Sequence, residues 1–322
     1  MLLTNMDNEE NTKENTGDLI PDGIKSFLAG KKEYLLPASI VLASLIIAGA
    51  WLLKVPSSPE QAAAAIQKEI LAFETKILPA KGVELPIGWG NLGAQLVETG
   101  TIDIDKFRAL YSQQDGVGPE IEGLLRKEGN SKIVITKESA PILLNIFWAL
   151  GLANKNEILD NGPMTDEKYG GNPGGFASTG GWTLAKGGAM EHYSMHRLVG
   201  LTSEQQELVE RVAKNIYRPC CGNSTHFPDC NHGMAMLGLL ELMASQGVSE
   251  GDMYKAALTV NSYWFPDTYL TIAKYLKSKG LDWNKTGAKE LLGVNFSSAS
   301  GYKQILSQVQ PATNGKGSSC GV

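Results

Sequence analysis

TSEQQELVERVAKNIYRPCCGNSTHFPDCNHGMAMLGLLELM, residues Thr202 to Met243, sets two helical patterns around a turn crowded with cysteine and histidine. In the first pattern Thr202 and Gln205 form a capping box, Leu208, Val209, Val212 and Ile216 line one face, and Pro219 enforces the stop. The second begins around Asn231, and its Met236, Leu239, Leu240 and Met243 recur at helical spacing. Between and just inside them fall Cys220, Cys221, His226, Cys230 and His232. With His192 and His196 one short segment upstream, all four histidines and three of the four cysteines share this window.

Thiolate and neutral imidazole are the donors of zinc and copper sites, and their crowding in a chain otherwise poor in both marks a metal centre. The expected ligands are Cys220, Cys221, Cys230, His226 and His232, joined by His192 and His196, whose i, i+4 spacing puts them on one face of a helix. Cys230 precedes a helix start, where the backbone dipole favours thiolate. A hydrolytic HExxH site is disfavoured because Tyr193, not a glutamate, follows the first histidine. No CxxCH attaches a haem, and the CxxC spacing common in zinc sites is missing. Copper leads zinc, because it also accepts thioethers and Met190, Met195, Met234 and Met236 flank the cluster. Two other readings stay open: thiol-disulfide exchange by the same cysteines, and a structural disulfide such as Cys221 to Cys230 in an interaction domain.

Outward from the cluster the chain reads as mainly α. Ser249 caps a helix through Tyr263, and Pro266 opens another with Tyr269, Ile272, Ala273 and Leu276 on one stripe. Upstream, glycines recur from Gly162 to Gly188, so residues 161–190 form a long Gly-rich loop, a lid or a linker leading into the first histidines. Pro141 to Leu152 is apolar on nearly every face and reads as a central helix. Lys132 to Thr136 has strand character without an evident partner. A helix starts at Ser58-Pro59 with Ile66, Ile70, Phe73 and Ile77 on its buried stripe. Two more run from Asn91 to near Gly100 and from Asp103, the latter with Phe107, Leu110 and Tyr111 inward.

Tyr34 to Leu53, YLLPASIVLASLIIAGAWLL, carries no charge and is long enough for a single transmembrane helix. Lys25, Lys31 and Lys32 precede it and Lys54 alone follows closely, which places the N-terminus in the cytoplasm and the rest outside the cell membrane, on an uncleaved signal anchor. The expected organisation is a disordered cytoplasmic tail (1–33), the span (34–53), an N-terminal helical lobe (54–160), the Gly-rich loop (161–190), a helical Cys/His lobe (191–309) and a flexible tail (310–322) that carries Cys320. A net charge of -5 and a pI near 5.5 argue against a nucleic-acid partner. Beyond the membrane and the ion, no partner is legible.

Overall fold

The core is built on one close crossing of two apolar helices. The structure, a computed structural model, describes residues 59–112, 116–126 and 132–309. The span at 34–53, the tail at 1–33 and Cys320 lie outside the described residues, and among the described residues no helix is long and apolar enough to cross a membrane. The chain divides into two units, residues 1–69 and 70–322.

Helix α1 (Pro59–Ile77) leads to strand β1 (Val83–Gly88), and helices α2 (Leu92–Glu98), α3 (Ile104–Tyr111) and α4 (Pro119–Leu124) follow before strand β2 (Lys132–Ile135). The two strands pair antiparallel, with Val83 opposite Ile135 and Glu84 opposite Val134. This pairing supplies the partner that the sequence did not reveal. Asp103 caps α3 by accepting from the N–H groups of Asp105 and Lys106, and Phe107 and Tyr111 are buried. Leu110 and Ile70, expected inward, are instead exposed at 38 % and 44 %. Of the expected α1 stripe, Ile77 is buried and the partly buried Phe73 packs against the core, while the Ile66 side chain lies outside what the structure describes.

Helix α5 (Ala140–Ala153) is the expected central helix, buried over almost its whole length. Short helix α6 (Glu157–Asn161) leads into the glycine-rich segment, which holds the short helix α7 (Ala177–Gly180) and otherwise consists of three-residue 3-10 turns and loop. That segment is a wall as much as a loop: Ser178, Thr179, Trp182 and Leu184 are buried, and Trp182 Nε1 donates to the Thr101 carbonyl at 2.9 Å.

Helices α8 (Ser203–Ala213), α9 (Asn231–Ser245), α10 (Glu250–Trp264) and α11 (Pro266–Ser278) follow, and three short helices, α12 (Ala288–Leu292), α13 (Val294–Ser297) and α14 (Ala299–Leu306), end the described chain. Thr202 and Gln205 form the expected capping box and Ser249 caps α10. α8, however, stops at Ala213, well before Pro219. Beyond it the backbone leaves the helix to pair elsewhere: Tyr217 N–H donates to the Leu292 carbonyl at 2.8 Å, and Tyr217 bridges to Ser224.

α5 and α9 cross where neither has a side chain. A Cβ on Gly238 would lie 2.6 Å from the Phe147 carbonyl oxygen and from Gly151 N, and one on Gly151 would lie 2.0 Å from the Met234 carbonyl oxygen. This close approach seats the N-terminus of α9, and with it Cys230 and His232, deep in the protein.

Candidate metal centre

Cys230 is the N-cap of α9, with extended backbone that turns its side chain back toward the loop it came from. That loop, residues 214–229, is pinned at several points. Thr225 N–H donates to the Ile216 carbonyl at 2.8 Å, Asn261 Nδ2 donates to the Tyr217 carbonyl at 3.1 Å, and the Asp229 carbonyl accepts from Ser178 N–H at 3.1 Å. At its other edge the Cys221 carbonyl accepts from Ala299 N–H at 2.9 Å, so α14 also holds the cysteine turn.

The loop brings the sulfurs together. Cys220 Sγ and Cys230 Sγ are 3.6 Å apart, and with His232 they form a group whose donor atoms all lie within 4.8 Å of one another. Cys221 Sγ, an Asp229 carboxylate oxygen and Cys230 Sγ form a second such group. Cys230 and His232 are buried, and Cys220 and Cys221 half-buried. The His232 ring packs on Phe265 with centroids 4.4 Å apart and meets the edge of Trp264 at 5.7 Å, which fixes its plane beside the thiols. Cys220, Cys221 and Cys230 are all free, and no disulfide joins Cys221 to Cys230.

One charged residue not expected from the sequence organises the cluster. Arg218 is fully buried, an uncommon place for arginine unless it is paired. Its Nε donates to Cys230 Sγ at 3.2 Å, and its Nη2 donates to Asp229 Oδ1 at 2.7 Å and to the Phe227 carbonyl at 3.2 Å. Asn223 Nδ2 donates to the other carboxylate oxygen at 2.8 Å. Burial alone would lower the Arg218 pKa, but the negative charge of Cys230, Cys221, Asp229 and Cys220 outweighs it and keeps the guanidinium charged.

The thiols are accordingly unequal. Contacts from Cys220 and Cys221, then the Arg218 charge and His232, overcome burial and hold Cys230 well below the usual thiol range. Cys230 therefore gives up its proton more readily than an ordinary cysteine. For Cys221 the contact with Cys220 pulls down, but the contact with Cys230 and burial prevail and push the thiol up to about 11. The thiolate is the form that binds metal and that attacks disulfides.

The other three histidines belong to neither group. His192 and His196 are not on one α-helix: a 3-10 turn at Ala189–Glu191 and the left-handed Ser194, at φ 54, carry them. They face each other, with His192 Nδ1 3.1 Å from His196 Nε2 and His192 Nε2 2.9 Å from the Lys186 carbonyl oxygen. The carbonyl only accepts, so His192 Nε2 carries the proton and Nδ1 accepts from His196. Both rings are thus occupied with each other. Burial foremost lowers the His226 pKa, with the Lys214 charge adding to it and the Glu210 charge opposing it. None of the three joins a group of three mutually close donors among the described residues. Met234 and Met236 are buried in the core, while Met190 and Met195 are exposed.

No protein-family model matches this chain, and neither a curated protein nor a solved structure does. The site must therefore be interpreted from its own geometry. A Cys/His cluster able to hold a metal ion is what that geometry contains.

Proposed function

We propose that the protein binds a thiophilic transition-metal ion at Cys220, Cys230 and His232, copper in preference to zinc, and that it serves metal handling or electron exchange outside the cell membrane, anchored by the 34–53 span. The observation that carries the reading is the buried Cys230 sulfur with a second sulfur at 3.6 Å and a ring nitrogen in the same 4.8 Å group. A three-donor, sulfur-rich group suits the low coordination numbers of reduced copper, whereas structural zinc sites take four protein ligands. The anchor rests on the uncharged run from Tyr34 to Leu53 and on the lysines that precede it.

A second reading has its own support. A cysteine of lowered pKa with a second sulfur at 3.6 Å is also the arrangement of a thiol-disulfide exchange pair, with Cys230 attacking and Cys220 resolving. Metal analysis of the purified chain separates the two. Copper bound in whole-number ratio and lost in the Cys230→Ser, His232→Ala double variant is the expected result. Metal-free protein with a reversible two-electron couple between Cys220 and Cys230 would overturn it in favour of exchange.

A further inference from the structure

The donors at the cysteine turn form two triplets, and the Cys230 sulfur is common to both: Cys220, Cys230 and His232 on one side, Cys221, Asp229 and Cys230 on the other. One four-coordinate ion with bonds of about 2.3 Å to sulfur would need its donors all roughly 3.8 Å apart, in a single foursome. We infer that the cluster holds two ions bridged by Cys230 Sγ. The inference rests on the metal-binding reading above and gives that site its stoichiometry and its second set of ligands.

Three features fit a bridge. A thiolate sulfur has lone pairs for more than one ion, and here Arg218 Nε takes one of them at 3.2 Å and leaves two. The Asp229 carboxylate is oriented as ligating carboxylates are, by hydrogen bonds from outside the coordination sphere: Arg218 Nη2 at 2.7 Å on one oxygen and Asn223 Nδ2 at 2.8 Å on the other. Cys221 Sγ already lies 3.9 Å from Asp229 Oδ1, so its sulfur and that carboxylate face a common point. Binding is balanced by release of thiol protons as the sulfurs become thiolates, with no change in oxidation state.

The test is a titration of the full chain, purified in detergent micelles without oxygen, with Cu(I) supplied as its acetonitrile complex, and bound ions counted by native mass spectrometry. Cys320→Ser is the common background, which removes the one other thiol. The expected result is saturation at two ions, with copper-to-copper scattering in the X-ray absorption spectrum. Cys221→Ser and Asp229→Asn, tested separately so that a fold defect in one does not decide the matter, should each reduce the count to one and abolish that scattering. Saturation of the background protein at one ion overturns the bridge while leaving the metal-binding reading intact. Retention of both ions in Cys221→Ser and in Asp229→Asn also overturns it. A protein that takes no copper overturns both readings.

Discussion

The guanidinium of Arg218 occupies the space in which Gly233 would carry a side chain. A Cβ there would lie 2.7 Å from Arg218 Cζ and 2.8 Å from Nη2. Gly233 lies in the first turn of α9, three residues beyond the Cys230 that Arg218 contacts. Glycine within a helix ordinarily costs about 0.5–1 kcal/mol relative to alanine. Gly233→Ala should therefore stabilise the protein unless the Arg218 contact governs the position. We expect the opposite: a net loss of about 1–3 kcal/mol in chemical denaturation, of the size found for overpacked cores. Copper affinity should fall roughly tenfold or more, the equivalent of about 1.4 kcal/mol. A variant more stable than the parent, with affinity unchanged, would show that Arg218 is free to move aside.

Replacing Arg218 tests the electrostatics directly. Contact with Cys220 and Cys221 is the larger influence on Cys230 and remains in the variant; the Arg218 charge is what is removed. In metal-free protein, Arg218→Met should raise the Cys230 thiol pKa, followed by thiolate absorbance in the ultraviolet against pH. Arg218→Lys keeps the charge without the planar fork and should fall between the two. Equal titration curves for all three proteins would remove Arg218 from the account of the thiolate.

These two residues also show where sequence reading stops. The helices that carry strong local signals were legible: the Thr202 and Gln205 capping box, Ser249 as a cap, Pro266 as a first residue and the apolar run from Pro141 all mark real elements. So were the thiols and His232, because soft donors are rare and their proximity in the chain is kept by a short pinned loop. Arg218 and Asp229 were not. An arginine between Tyr217 and Pro219 looks like a surface residue, and only the packing of α9 against its guanidinium shows otherwise. The early end of α8 was hidden because Ile216 stays buried, as the helical pattern requires, although its backbone is no longer helical. Strand β1 was missed because Pro86 interrupts it and Gly88 ends it, composition that reads as a turn. The spacing of His192 and His196 predicted a shared face, and the rings do meet, but through a turn with Ser194 at positive φ and at each other, outside both donor groups.

That last relationship carries a prediction of its own. His192→Asn and His196→Asn should leave copper stoichiometry at the cysteine cluster unchanged. Burial first, then the neighbouring His192, lowers the His196 pKa below 6.5, so the folded state favours the neutral ring. A group whose folded pKa is depressed contributes stability that is full above its unfolded pKa and lost as pH falls through the folded value. The parent should thus lose stability as pH drops from about 6.5, and His196→Asn, which keeps a donor for His192, should lose less over the same interval. Denaturant midpoints at several pH values measure this. Parallel curves would detach the pair from acid stability, and a lost copper ion would bring these histidines back into the site.

Farther along α9, Glu241 gives the fold a pH dependence of the opposite sign. Its side chain is fully buried; Asn154 Nδ2 donates to Oε2 at 3.0 Å, while Oε1 has no hydrogen-bond partner among the described residues. Burial raises its pKa well above 4.5 despite the opposing pull of Asn154 and Asn156, so the carboxyl is protonated well into the range where an exposed glutamate is ionised. A raised folded pKa contributes stability that is full below the unfolded value and declines as pH rises toward the folded one. Between those limits the unfolded chain has released a proton that the native state retains. Each pH unit then removes up to about 1.4 kcal/mol. Glu241→Gln places a neutral amide of the same shape on Asn154 and has no such proton to lose. Metal-free variant and parent should have similar stability near pH 4.5 and diverge steadily above it, with the variant the more stable at pH 7, as read from urea unfolding across that interval. A constant difference between the two curves at every pH would mean that Glu241 ionises in the native core, and Asn154 would then be holding a carboxylate.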